Sequence, residues 1–362
     1  MKRRRFIENV GAAAGGLSLW PAARRMGLVP PADEFRLWTW VHGNDDADDE
    51  WRRRFGRLKT AGFHGVLVSG GEAERLAAAA HQEGLVFHRW IWVLNRNGDA
   101  WVREHHPEWF TVNRRGESTL DHPPYVDYYR WVCPRREPVR EYLQGVVRDV
   151  ARTEGVDGVH LDYIRYPDVI LPVALWSKYG LVQDRELPEF DNCYCDVCRA
   201  TFAERTGIDP MELEDAPSDL AWRAFRWESV SLAVEAMADT VHREANQITA
   251  AVFPTPTIAR RLVRQAWETW PLDAVFPMIY HSFYQEPVEW IGRATEEGVS
   301  ELQGERPLYS GLYLPDLTPP ELAEAVVVSR DAGAAGVALF ESNGITDAHL
   351  DALEAVRQPR GR

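Results

Sequence analysis

Lysine is nearly absent from this sequence. It occurs only at Lys2, Lys59 and Lys178, so arginine carries almost all of the positive charge. Positive charge is itself in deficit, with 41 Lys and Arg against 55 Asp and Glu in 362 residues and a net charge of −14. A chain this acidic repels a phosphate backbone, which argues against nucleic acid as a partner. Beyond the N-terminus no run of eighteen or more apolar residues occurs, so no membrane-spanning helix is expected. What is abundant is apolar surface, 45% of residues against 27% charged, enough to exclude a disordered tail or a disulfide-built mini-protein. The 15 Trp suit the flat faces of sugars, although tryptophan alone proves no ligand.

Residues 1–25 are of a different kind from the rest. Lys2, Arg3, Arg4 and Arg5 precede Phe6-Ile7, then a mild apolar run from Val10 to Leu19, then Pro21-Ala22-Ala23. This pattern reads as a twin-arginine export signal, because consecutive arginines are followed at the right offset by Phe and a run too short and weak to anchor. Its removal takes away six positive charges and one negative charge, leaving a mature chain of about −19 destined for the periplasm or the exterior.

From Phe35 onward, short β-branched or aromatic runs alternate with amphipathic stretches, the signature of parallel βα units. Eight strands are predicted: Phe35–Trp40, Gly65–Ser69, Val86–Val93, Gly158–Asp162, Ile248–Phe253, Ala274–Ile279, Leu308–Leu312 and Gly336–Phe340. Helices are predicted between them, among others over Asp49–Ala61, Glu72–Glu83, Val139–Glu154, Leu220–Asn246, Pro319–Ala332 and Ala348–Val356. Gly62, Gly84, Gly155 and Gly333 stand where helices should end. Eight such units imply an α/β fold, a (β/α)8 TIM barrel, spanning 33–357. The mature chain exceeds the roughly 250 residues of a plain barrel by some 87, which fall in two insertions, 95–137 and 163–218. They follow the third and fourth strands on the face where barrel enzymes build their sites.

The fourth strand ends in Asp162, within GVDGVHLDYIRYP, and a side chain at that end faces a ligand. A carboxylate there can serve as nucleophile, or as the fixed anion under a cationic sugar. An isolated strand-end Asp more often just caps the next turn, but flanking Arg165 and the long insertion favour a functional reading.

The run Asp157-Gly158-Val159-His160-Leu161-Asp162-Tyr163-Ile164-Arg165-Tyr166-Pro167 resembles the signature of the family 10-like glycosyl hydrolases, barrel proteins of bacterial envelopes. The resemblance extends to His106-Pro107-Glu108-Trp109-Phe110, the loop from Gly116 to Cys133 and the helix start from Pro134 to Arg140. It implies an exported glycosidase acting on glycosidic bonds. The segment is also similar to the fourth-strand motif of family 18 chitinases, in which an acidic residue follows the second Asp as general acid. Here Ile164 and Arg165 stand in that place, so any proton donor must come from elsewhere.

Glycoside hydrolysis normally uses two carboxyl groups, one protonated and one ionised. Among the other strand ends, Glu341 is the only Glu placed immediately at a terminus, which makes it the expected acid beside an anionic Asp162. His281 and Asp316 are the alternatives. A carboxyl separation near 5 Å would imply retention and roughly 6.5–9.5 Å inversion.

Sugar sites combine flat aromatics with polar clamps. Trp38 and Trp40, and Trp90 and Trp92, alternate on their strands, so each pair shares a face. Trp40 and Trp92 are candidates for the pocket floor, with His42 and Asn95 just beyond, whereas Trp38 and Trp90 are expected to pack between strands and helices. Tyr280, His281 and Tyr313 join as binding candidates by strand-end position. Arg165 is expected either to clamp a substrate carboxylate or to hold Asp162 ionised.

Cys193, Cys195 and Cys198 form a C-x-C-x-x-C run, and Cys133 stands apart. Three thiols within reach of one tetrahedral ion suit a structural zinc stapling an insertion that lacks its own core. Disulfides are the equal alternative in an exported protein, with three possible pairings, and both readings stay open. No cofactor is required for catalysis on this reading. An exported glycoside hydrolase acting on a poly- or oligosaccharide is therefore expected, with a non-catalytic glycan-binding barrel as the alternative.

Overall fold

β-branched and aromatic residues dominate eight short segments, and in parallel sheets such segments are buried on both faces. The computed structural model describes residues 34–357, and the export-signal reading of residues 1–25 lies outside them. Its strands are β1 (Arg36–Gly43), β2 (Phe63–Gly70), β3 (Val86–Trp92), β4 (Gly158–Asp162), β5 (Gln247–Val252), β6 (Ala274–Pro277), β7 (Tyr309–Tyr313) and β8 (Gly336–Phe340). All pair in parallel, in the order β6-β5-β4-β3-β2-β1-β8-β7. Parallel bridges Val275↔Leu308 and Met278↔Gly311 bring β6 to β7 and close the ring, giving a (β/α)8 TIM barrel.

Alternation along each strand sorts the apolar residues. Val66, Val68, Val159, Leu161, Val337 and Leu339 face outward into belts of helix side chains. Trp38, Trp40, Leu67, Trp90, Phe276 and Tyr309 fill the interior. This corrects the expectation for Trp38 and Trp90, which point into the barrel and not between strands and helices. The interior is crowded enough to demand glycine opposite the large rings. A Cβ on Gly65 would lie 2.4 Å from the Trp38 ring, and one on Gly158 2.6 Å from His88.

The two insertions pack on each other over the C-terminal ends of β3 and β4. The first forms antiparallel bridges Phe110↔Val132 and Val112↔Ser118. The second contributes Asn192, bridged to Asn113, and Tyr194, whose amide bonds Val112 O at 2.7 Å. Asp191 anchors this junction. Its carboxylate accepts from buried Arg226 and, at 2.6 Å, from Tyr194 Oη.

Candidate active site

β4 is buried along its whole length, and its inward-facing residues are His160 and Asp162. The chain turns sharply after Asp162, because Tyr163 adopts the left-handed conformation at φ 51°. A non-glycine residue there carries strain of order 1–3 kcal/mol, a feature that concentrates at functional sites. The turn aims the Tyr163 amide at Asp162 Oδ1, 2.6 Å away, while Trp90 Nε1 donates to Oδ2 at 3.0 Å. Burial pushes the Asp162 carboxyl above the usual aspartate range, and the two donors and the Arg165 charge only partly offset it. The side chain expected as a plain anion is instead one that holds its proton more tightly than an ordinary aspartate.

Under Asp162 lies a directed hydrogen-bond chain. Trp40 Nε1 can only donate, and it reaches His160 Nε2 at 3.2 Å, so the His160 proton sits on Nδ1 and is given to Thr249 Oγ1 at 2.9 Å. Thr249 in turn donates to His88 Nδ1 at 3.2 Å, and His88 Nε2 donates to Gln247 Oε1 at 3.1 Å. Burial holds both imidazoles neutral, His88 lowered to about 4 and His160 well below its ordinary value. Trp40 is therefore a core residue beneath the site, and the expectation that it floors the pocket is corrected.

Above Asp162 opens a cavity of about 420 Å³. Twelve of its twenty-one lining residues are Phe, Tyr or Trp, so flat apolar faces surround the carboxyl. One wall is Trp92 packed against Tyr163 at 4.5 Å, their rings tilted by 44°, and the other is Tyr280, Tyr313 and Phe340, with Tyr280 5.2 Å from Tyr313. The insertions add Tyr125 and Tyr129 from the first and Leu171, Pro172 and Tyr179 from the second. Burial raises the Tyr280 hydroxyl far up, and the nearby Asp162 charge adds to this.

His42 and Arg165 make the cavity polar, and Glu341 stands beside His42 outside the lining. His42, now the seventh residue of β1, rests on the Trp90 ring at 5.0 Å and places Nε2 3.2 Å from Glu341 Oε2. Glu341 follows β8, and its other oxygen accepts from Asn343 at 3.3 Å. Arg165 is caged by Trp131, Phe253 and Tyr163 rings at 4.8–5.3 Å, and its Nη1 donates to Asp168 Oδ2 at 2.8 Å. Its partner is thus Asp168. The expected pairing with Asp162 is replaced by a longer-range influence.

Three more candidates lie elsewhere. Asn95 is buried in the first insertion, where its backbone bridges Trp131 and its Oδ1 accepts from the Asn97 amide at 3.2 Å. His281 begins a 3-10 turn, His281–Tyr284, that carries it away from the cavity toward Asp316 and Glu321. Asp316 accepts from Ser282 Oγ at 2.5 Å and is likewise outside the lining. Sequence reasoning missed Trp90, Tyr163, Asp168 and Phe340. Asp168 and Tyr163 sit within or beside the fourth-strand motif, so the motif itself was the available signal. The cysteines also lie outside the cavity, and Cys133 joins Cys193, Cys195 and Cys198 in one buried group.

No protein-family model and no curated protein matches this sequence. Solved structures do match in fold. The catalytic domain of β-amylase from Paenibacillus polymyxa superposes with a TM-score of 0.60 at 9% identity, covering 91% of this chain and 100% of that one. A β-galactosidase from the haloarchaeon Halorubrum lacusprofundi gives 0.62 at 15% identity, over 89% of this chain and 57% of that one, so this chain spans little more than half of it. The Bacillus cereus spore cortex-lytic enzyme SleL gives 0.51 at 8% identity, over 90% and 75%. The barrel is therefore one that glycoside hydrolases also use, and at these identities the likeness is one of fold.

Proposed function

We propose that this chain is a glycoside hydrolase acting on a poly- or oligosaccharide, with Asp162 as the proton-transferring group and Glu341 as its ionised partner. The observation that carries this reading is Asp162 itself, a carboxyl with a raised pKa, hydrogen-bonded on both oxygens, at the base of an aromatic-walled cavity on the C-terminal face of a barrel. Proton retention fits a group that protonates the glycosidic oxygen as the C–O bond breaks. The leaving sugar departs as its alcohol, electron deficiency develops at the anomeric carbon of the ring left behind, a nearby anion lowers its energy, and water adds to that carbon to complete hydrolysis. Glu341 beside His42 meets that need, which reverses the roles expected from sequence. The paired aromatic rings of Trp92 and Tyr163, and of Tyr280 and Tyr313, suit the C–H faces of pyranose units. Caged Arg165 and Asp168 add a fixed ion pair to the wall, where they can hold hydroxyls.

Export by the twin-arginine route belongs to the same proposal and rests on Arg3, Arg4, Arg5 and Phe6. The test is release of reducing ends from a panel of bacterial and plant polysaccharides by the parent protein and by Asp162→Asn. Turnover by the parent that falls about 100-fold or more in the variant supports the reading. Glycan binding by the parent without any turnover would replace it with a glycan-binding barrel.

A further inference from the structure

We infer that Cys133, Cys193, Cys195 and Cys198 are the four ligands of a structural zinc ion that clamps the two insertions together over the cavity. The four residues come from two separate places in the chain. Cys133 ends the first insertion, just before the helix Glu137–Arg152, whereas Cys193 and Cys195 precede and Cys198 lies in the first turn of the helix Asp196–Thr206. All four are buried, and their sulfurs lie within 4.8 Å of one another. Cys133 Sγ is 3.5 Å from Cys198 Sγ and 3.8 Å from Cys195 Sγ. A tetrahedral shell with zinc–sulfur bonds of about 2.3 Å has sulfur–sulfur edges of about 3.8 Å. A disulfide needs about 2.05 Å and would draw the sulfurs into pairs. One mutually close quartet is the arrangement of a single ion.

The surroundings are those of a thiolate centre. Val112 N–H donates to Cys193 Sγ at 3.4 Å, as amides do around metal-bound sulfur. Tyr166 is 1% exposed, its hydroxyl has no hydrogen-bond partner, and it lies within electrostatic reach of all four cysteines. A buried hydroxyl without an acceptor is costly, and a metal-bound thiolate supplies one. Arg136 Nε is likewise buried without a partner, while its other end holds Asp196, and its charge faces Cys195 and Cys133. A guanidinium there balances the net negative charge of four thiolates around a divalent ion.

The consequence is mechanical. Tyr125 and Tyr129 belong to the first insertion, and Asp168, Leu171 and Tyr179 to the second, so the ion would fix the two halves of the cavity wall relative to each other. Tyr166, one residue from Arg165 within the strand motif, ties the centre to the site. Cysteine-only ligation closes the coordination sphere, so the role is structural.

The experiment uses the full chain purified without chelators or an immobilised-metal step. Elemental analysis should find about one zinc per chain. Denaturation in chelator and alkylating agent, with no reductant, should label all four thiols. Cys133→Ser should retain roughly a tenth of the zinc or less, and cobalt reconstitution of the parent should show thiolate-to-metal charge-transfer bands. Should Cys133→Ser fail to fold, the metal and thiol counts on the parent decide alone. Two disulfides, four thiols without stoichiometric metal, a stoichiometric iron chromophore in place of zinc, or full zinc retention by folded Cys133→Ser would each overturn the proposal.

Discussion

Trp90→Phe removes one N–H from Asp162 and keeps an aromatic ring in place. The bond it deletes is Trp90 Nε1 to Asp162 Oδ2, 3.0 Å long, inside a site where Trp90 is 5% exposed. A hydrogen bond to a charged acceptor contributes about 1.5–3 kcal/mol, and one to a neutral acceptor about 1 kcal/mol. Lost packing against His42 and Phe340 adds a cost that does not depend on the protonation of Asp162. The sign follows from the raised carboxyl. Burial disfavours the charged form, so Asp162 costs stability as pH rises through its folded-state titration, and the Trp90 donor offsets part of that cost. Without the donor the carboxyl moves further up. The variant therefore loses more stability than the parent at high pH than at low pH, by about 0.5–2 kcal/mol. Urea unfolding of both proteins, in a pH series from the carboxylate range to about 8, reads this difference. The same series in a His42→Gln background removes the imidazole that rests on the ring. A destabilisation of equal size at every pH would show that Trp90 does not act on a titrating carboxyl.

Asp168→Asn should cost about 3–5 kcal/mol of stability, because it leaves caged Arg165 buried without its anion, and thermal unfolding measures it. Gly158→Ala should cost about 1–3 kcal/mol through the clash of its Cβ with the His88 ring, read by the urea midpoint. Glu341→Gln should lower kcat by about 100-fold or more while leaving glycan binding within a few fold. An unchanged kcat would remove Glu341 from the chemistry. Trp92→Ala should weaken oligosaccharide binding by about 1–3 kcal/mol, since this half-exposed ring presents a stacking face, and calorimetry with the best glycan tests it.

The barrel was legible because its signals are local. β4 and β8 begin and end where the sequence predicts, since each is a short apolar run bounded by glycine and a polar strand end. β1 runs past its predicted end to Gly43 because Val41, His42 and Gly43 still find partners in Val68, Ser69 and Gly70 of β2. Period-2 alternation correctly grouped Trp38 with Trp40 and Trp90 with Trp92. It did not tell the barrel interior from the helix side, which depends on ring closure, so Trp38 and Trp90 were misplaced, and it carried no depth, so Trp40 was set one layer too high. His281 was misplaced because one 3-10 turn after Tyr280 rotates the chain off the strand direction. The Cys133 contact depends on how two insertions fold across each other, and no local pattern encodes that.

The most direct measurement is a crystal structure of Asp162→Asn soaked with an oligosaccharide that the parent cleaves. A scissile oxygen within about 2.6–3.2 Å of the residue 162 side chain, with sugar rings on Trp92 and Tyr280, is the predicted result. A chain bound outside this cavity, or one whose scissile bond lies far from β4, would contradict the account.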